Sequence, residues 1–340
     1  MKVLLISPLG FPINPQTKYA GIERLVWEYA RELFKSQEVS VLGHHQSIFP
    51  TGVSLLSCQG GDDFITKEVN SFQSWSWSFK NFDVIHDFSH LHLASRHIPN
   101  LPSLNLFWHA PSLGQYPKSP YNIIAPSLWA AHEFRRYYHQ NAKYQQSIAI
   151  DTSVYCPSGK RGERFMCLGR MAPEKGNLNA ILACKKAGVP LDVCGGRGAG
   201  REDDSYSPYE LEIMDLCDAE QIKYLGEVSE EDKIKLMQSC RGLIYFTDHP
   251  EVTNHKLQES MLCKAPVIAP DIGAQPEIVT HGDNGFLVSD LREVVEAIKN
   301  IDSLKMSPEI YEQLKEKYAL KNVVNSYIPL YEQVSQGLRW

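Results

Sequence analysis

Two acidic residues eight positions apart, Glu251 and Glu259, bracket a segment with the length of a short helix, Glu251-Val-Thr-Asn-His-Lys-Leu-Gln-Glu259. An ionised carboxylate only accepts hydrogen bonds and takes two hydroxyls at once, so the pair suits a ligand rich in hydroxyls. Such spacing by itself is common on solvated helices; the run after it is more specific. Pro266-Val-Ile-Ala269 reads as a short buried strand, Gly273 and Gly285 as tight turns, and Glu277-Ile-Val279 brings a second acidic turn. A helix framed by carboxylates that opens onto a strand is the layout of a ligand site.

A second constellation, Leu168-Gly-Arg170-Met-Ala-Pro-Glu-Lys175-Gly176, follows a strand pattern and opens a helix. Backbone N–H groups, a helix dipole and two fixed cations meet at such a place. Arg170 offers a planar fork to phosphate oxygens and Lys175 a point charge, so together they suit a diphosphate. Taken alone, the stretch is equally an ordinary strand-to-helix turn with solvated charges.

Jointly these segments resemble the retaining glycosyltransferases of family 4, which carry an E-x7-E region and a G-R-x-x-x-x-K-G stretch; the first match runs over residues 251–288. The resemblance implies an α/β chain of the GT-B fold, in which two doubly wound Rossmann-like domains face a cleft and a C-terminal helix returns to the first domain. It implies that Glu251 bonds hydroxyls of the donor sugar and Glu259 those of the ribose, with Arg170 and Lys175 on the diphosphate. Gly169, Thr253, Asn254 and His255 then lie on the donor side. Gly21 brings a backbone amide near the donor phosphate or the acceptor, and His109, ending the pattern Leu104-Asn-Leu-Phe-Trp-His, lines the donor-sugar pocket. Glu23, His86 and Asp87 fall on the acceptor side. The implied reaction is front-face displacement by an acceptor hydroxyl on a UDP-sugar or GDP-sugar, with Glu251, Arg170, Lys175 and His109 as the catalytic set and neither cofactor nor metal. The acceptor is a small molecule, a glycan or a lipid-linked saccharide. Three positions depart from the family pattern: Thr253-Asn254 replaces Phe-Gly, Lys264 replaces a Gly, and Ala20-Gly21 replaces Gly-Gly. These leave the donor sugar open. An epimerase or a sugar phosphorylase on the same scaffold, and a non-catalytic sugar-nucleotide-binding protein, stand as alternatives.

The elements that must position these residues alternate between short apolar runs and amphipathic segments, the pattern of α/β architecture with parallel sheets. Val3 to Ser7, Val39 to Leu42, Asp83 to His86, Leu104 to His109 and Ile123 to Ala125 read as strands of a first domain, with helices at Ile22 to Lys35 and, capped by Ser127, at Ser127 to His139. Strands resume at Glu163 to Gly169, Leu191 to Cys194, Ile222 to Leu225, Leu243 to Phe246 and Val267 to Ala269. A polar stretch around residues 150–161 reads as the linker. The expected division is an acceptor-binding domain at 1–150, a donor-binding domain at 151–320 and a closing helix at 321–340. The long loop from Pro12 to Arg24 lacks the G-x-G-x-x-G fingerprint, which argues against a dinucleotide oxidoreductase.

At 340 residues the chain has room for two domains. Net charge is -6; residues 1–150 hold 12 Lys and Arg against 10 Asp and Glu, and residues 151–340 hold 22 against 30. Neither part has the basic footprint of a nucleic-acid protein, while the mild positive balance of the first permits weak contact with anionic lipid. Eight cysteines show no C-x-x-C pair and read as buried free thiols of a reducing compartment. No apolar run approaches the ~20 residues of a spanning helix, and Lys2 to Ser7 is too short for a signal core, so a soluble cytoplasmic protein is expected. His86-Asp87-Phe-Ser-His90-Leu-His92 has no metal-ligand spacing; His90 and His92 are assigned to the following helix. No nucleophile elbow is present.

Overall fold

The computed structural model describes residues 1–14, 21–59, 63–98, 100–108, 121–196 and 206–340. It divides into two units, Met1–Ile150 with Tyr318–Trp340, and Asp151–Lys317.

The first unit is built on strands β1 (Lys2–Ile6), β2 (Glu38–His44), β3 (Ser54–Cys58), β4 (Val84–Asp87), β5 (Ser103–Leu106), β6 (Ile123–Ala125) and β7 (Ala142–Tyr144). They form one parallel sheet in the order β3-β2-β1-β4-β5-β6-β7, with Leu4 paired to Ser40 on one side and Ile85 on the other. All four residues of β4 and all but the first of β1 are buried, as a strand covered on both faces requires. The covering helices are α1 (Gly21–Leu33), α2 (Phe64–Trp75), α3 (Leu93–His97) and α4 (Leu128–Tyr138). Helix α1 turns Leu25, Val26, Tyr29, Ala30 and Leu33 inward, a stripe at helical spacing. Ser127 caps α4 by accepting from the Ala130 N–H. Two histidines depart from expectation: α3 starts only at Leu93, so His90 and His92 precede it rather than belong to it.

The second unit holds β8 (Phe165–Leu168), β9 (Leu191–Cys194), β10 (Ile222–Gly226), β11 (Leu243–Ile244), β12 (Val267–Pro270) and β13 (Gly285–Val288), parallel in the order β10-β9-β8-β11-β12-β13. Around them lie α5 (Asn177–Ala187), α6 (Pro208–Leu216), α7 (Glu230–Ser239), α8 (His255–Leu262), α9 (Leu291–Asn300) and α10 (Pro308–Tyr318). Phe165, Ile181, Val193, Ile244, Ile268, Val294 and Ile298 form the centre of its core. Gly285, expected in a turn, instead opens β13 and pairs with Val267, because the apolar run Phe286 to Val288 continues the sheet. All eight cysteines are free, and six of them are buried.

Helix α11 (Leu320–Ser335) closes the chain and packs on α1. Its Tyr327 ring meets Tyr29 edge-on at 5.5 Å. The Tyr29 hydroxyl donates to the Ser147 carbonyl at 2.8 Å, and the Ser147 and Tyr327 hydroxyls lie 2.7 Å apart. Each such aromatic pair adds ~0.5 to 1.5 kcal/mol beyond the area buried. Among the described residues, no helix is long and apolar enough to cross a membrane.

Candidate functional site

Both sheets reverse their order once: the chain leaves β1 for β2 and β3 and returns to β4 on the other side, and it leaves β8 for β9 and β10 and returns to β11. Ligands of open α/β sheets bind beyond the carboxyl ends of strands at this reversal. In the second unit the segments that emerge there are Gly169–Gly176 after β8, one of the two stretches singled out by their chemistry, and Tyr245–Glu251 after β11, which leads into the other.

Glycine lets these loops touch. A Cβ on Gly195 (φ +154°) would lie 1.8 Å from the Gly169 carbonyl oxygen, and one on Gly176 (φ +71°) would lie 2.0 Å from that of Phe246. The ends of β8, β9 and β11 are thereby in backbone contact. Across this junction the Lys175 Nζ donates to Glu251 Oε1 at 2.6 Å, and the Tyr245 hydroxyl donates to the same oxygen at 3.1 Å. Burial works against a charge on Glu251, but Lys175, Lys256 and the Tyr245 hydroxyl outweigh it and hold the carboxyl below its usual range. Arg170 donates to Glu174 Oε1 at 2.5 Å, while its buried Nε has no hydrogen-bond partner among the described residues. Both diphosphate cations of the sequence reading therefore stand beside a carboxylate.

Helix α8 begins on Asn254, a 94% buried residue (6% exposed) whose side chain makes no cap bond and whose Nδ2 has no partner among the described residues. The Thr253 hydroxyl accepts from Gln258 Nε2 at 3.4 Å. His255 is the first helical residue, its basicity lowered by burial. One helical length on, Glu259 accepts from Lys233 Nζ through both oxygens at 3.1 Å; Lys233 also reaches Glu230, to which the Tyr155 hydroxyl donates. Lys264, just past α8, has φ +59°, the left-handed conformation that favours glycine. A side chain in this conformation costs ~1 to 2 kcal/mol locally, and the Lys264 ammonium lies over the Tyr311 ring at 4.5 Å.

Five residues of this site escape a reading of the sequence. Lys256 donates from Nζ to the Leu168 carbonyl at 2.8 Å and sits 3.9 Å from the centre of the Tyr245 ring. Burial, then the charge of Lys175, bring its ammonium down to about 7 against the pull of Glu251. Lys233 and Tyr245 gave no local signal, since each acts through a partner distant in sequence or hidden at a strand end. Gly195-Gly196 directly after the apolar run Leu191 to Cys194 was a readable signal, because paired glycines after a strand mark a close backbone approach.

The first-unit candidates divide. Glu23 lies beside Gly10 at the carboxyl end of β1, where a Cβ on Gly10 would be 3.1 Å from its Oε1. Burial pushes its carboxyl up to about 7 against the Phe11 N–H and the charge of His90. Glu68 on α2 accepts from the N–H groups of His90 and Leu91 at 2.8 Å and pairs with His90 Nδ1 at 2.6 Å. His86 is corrected. It has no exposed surface: Phe88 and Tyr327 flank its ring at 4.1 and 5.0 Å, and its Nδ1 is 2.8 Å from the Tyr331 hydroxyl. Burial lowers its pKa to about 3, so it is a neutral core ring rather than the lining of a cleft. Asp87 is equally buried and accepts from the Ser89 N–H at 2.9 Å, which makes it a turn-forming group. Gly21 is the first residue of α1, and a Cβ there would meet nothing within 4 Å. His109 and the loop from Pro15 to Ala20 lie outside the described residues. No cluster of three or more His, Cys, Asp or Glu able to hold a metal occurs among the described residues.

Residues 157–320 match the family described as Glycosyl transferases group 1. A stretch of 198 residues, 54% of this chain, is 31% identical to a probable sucrose-phosphate synthase of Thermosipho melanesiensis, and it spans 46% of that protein. In three dimensions the chain is similar to the sucrose-phosphate synthase of Thermosynechococcus elongatus, with a TM-score of 0.79 at 15% identity over 99% of this chain and 100% of the other. It is also similar to the Anabaena protein HepE solved with UDP and glucose, with a TM-score of 0.72 at 16% identity over 98% and 100%. At these identities the structural likeness is one of fold, and the fold is GT-B.

Proposed function

We propose that this chain, whose residues 157–320 belong to the glycosyl transferases group 1 family, is a retaining glycosyltransferase that moves a sugar from a UDP-sugar to an acceptor hydroxyl. The observation that carries this reading is the junction at the sheet reversal of the second unit. There a carboxylate held below its usual pKa, Glu251, stands 2.6 Å from Lys175, on the loop that also carries Arg170. The UDP bound by HepE supports uracil as the base. The glucose solved with HepE supports glucose as the sugar, and the acceptor side falls to the first unit, where Glu23 lies beside Gly10 past the end of β1.

In the proposed step the acceptor oxygen forms its bond to the anomeric carbon on the face that the diphosphate leaves. The bond from that carbon to the diphosphate oxygen breaks, UDP departs with the electron pair, and the acceptor proton passes to the departing phosphate oxygen. Arg170 and Lys175 offer fixed positive charge where negative charge develops, which is electrostatic preorganisation. When a diphosphate arrives it competes with Glu174 and Glu251 for these cations. Release of Glu251 from Lys175 then leaves its oxygens for sugar hydroxyls. Glu259, held by Lys233, presents the second carboxylate to the ribose. No role in this scheme falls to His86 or Asp87. A soluble cytoplasmic setting is part of the proposal, consistent with eight free thiols.

Arg170→Ala is the direct test of the diphosphate assignment. Loss of a charged hydrogen bond costs ~1.5 to 3 kcal/mol, and Glu174 is left without its partner. UDP binding is expected to weaken roughly ten- to a hundredfold, with uridine binding nearly unchanged, in a calorimetric titration. Equal loss of both ligands would contradict the assignment.

A further inference from the structure

The cations around the β8 and β11 loops are not alike. Arg170 is paired with Glu174, Lys175 with Glu251, and Lys233 with Glu259 and Glu230. Lys256 has no carboxylate within ion-pair distance among the described residues. One of its three N–H donors goes to the Leu168 carbonyl, and the Tyr245 ring lies 3.9 Å away. Its Nζ stands 3.3 Å from where a Cβ on Gly169 would be, directly against the backbone that leads into Arg170. The charged and titratable groups that face it are Lys175 from the β8 loop, Glu251 from the β11 loop, Cys167 from β8, Tyr245 beyond β11, and Glu259 on its own helix. Cys167 supplies no counter-charge, because burial pushes its thiol up to about 12.

We infer that Lys256 is a third phosphate-binding cation of the donor site, carried on α8 to the mouth of β8 and completed by the arrival of the donor's diphosphate. This rests on the donor-site reading above and adds to it a residue and a regulation. A half-buried ammonium beside Lys175 and without a carboxylate of its own gives up its proton near neutrality. A diphosphate seated on the Gly169–Arg170 backbone gives that ammonium the anion it lacks and holds the proton on it. Donor binding is then linked to proton uptake, and affinity falls as pH rises from 6 to 8. The two lysine contacts differ in kind: Lys175 trades the Glu251 carboxylate for the donor's diphosphate, whereas Lys256 becomes charged as the donor binds.

The probe is UDP-glucose, whose diphosphate has no proton to lose in this range. Titrations by calorimetry at pH 6, 7 and 8, each in two buffers of different protonation enthalpy, are made on the wild type, Lys256→Met, Lys256→Arg and Arg170→Ala. The wild type is expected to bind about tenfold more weakly at pH 8 than at pH 6 and to take up about half a proton at pH 7, as a group titrating near 7 dictates. Lys256→Met is expected to bind at least about tenfold more weakly at pH 6, with the slope against pH and the proton uptake both gone. Lys256→Arg, charged at every pH, should bind at pH 6 like the wild type and keep that affinity at pH 8. His255 is a neighbouring titrating group, and it remains in all four proteins, so a slope that persists in Lys256→Met assigns the linkage elsewhere and overturns the inference. If Lys256→Met fails to fold, Lys256→Arg still decides, since a wild-type slope in that variant is equally fatal. The two readings fail separately: a wild type that binds neither UDP-glucose nor UDP overturns the donor site itself. A wild type weakened by Arg170→Ala but indifferent to Lys256→Met overturns only the role of Lys256.

Discussion

Exchanging Glu251 for alanine is expected to slow sugar transfer roughly ten- to a hundredfold while leaving UDP binding no weaker than in the parent. The first effect follows from losing a charged acceptor of sugar hydroxyls, ~1.5 to 3 kcal/mol, converted at one tenfold step per ~1.4 kcal/mol. The second follows from geometry, because Glu251 Oε1 stands 2.6 Å from Lys175 and neutralises a cation assigned to the diphosphate. Removing the carboxylate frees Lys175 for phosphate and at the same time removes the group proposed to orient the sugar. A variant that merely lost structure would lower both quantities together. The measurement is UDP release from a UDP-sugar under single-turnover conditions beside a titration with UDP. Transfer at the parental rate would remove Glu251 from the chemistry.

The largest expected effect on stability is that of Gly195→Ala. The added Cβ would lie 1.8 Å from the Gly169 carbonyl oxygen, and Gly195 has φ +154°, a conformation that side chains rarely adopt. The contact is backbone against backbone, so no flexible side chain can yield; one strand-end loop must move from the other. Clash and backbone strain together place the cost at about 4 kcal/mol or more, in the exceptional range for a single substitution. For a unit of this size that corresponds to a fall of about 8 to 16 °C in the midpoint of the second unit's transition. Scanning calorimetry reads it, and a shift within about 2 °C would show that the loops are not in contact. UDP affinity should fall in the folded fraction as well, since the displaced loop carries Arg170.

The legibility of this chain was uneven for identifiable reasons. Leu191–Cys194 was read to the residue because Gly188-Val-Pro190 and Gly195-Gly196 frame an apolar run. The edge strands β3 and β7 left no trace, since Ser54–Cys58 and Ala142–Tyr144 are largely exposed or half-buried and have no apolar run to detect. Arg170, Lys175 and Glu251 can be singled out from sequence because they lie in the short segments just after strands of a parallel sheet, where local spacing is informative. Their pairing was not, for Lys175 meets Glu251 across 76 positions of sequence and Lys256 meets Leu168 across 88. His86 shows the same limit with the opposite result. A histidine at a strand end looks like a site residue until the ring that covers it, Tyr331, arrives 245 positions later. Lys264 adopts the left-handed conformation that glycine favours, which its side-chain type gave no reason to expect.

The placement of α11 bears on how the protein is made. Tyr327 and Tyr331 are fully buried against Tyr29 and His86, so residues near the end of the chain complete a core begun by residues near its start. During synthesis every residue of Asp151–Lys317 is joined to the chain before those tyrosines are. A chain released at residue 319 would hold every strand of the second unit, whereas the first would be left with the inner face of α1 uncovered. Such a fragment would therefore pair a second unit able to fold with a first unit unable to close its core.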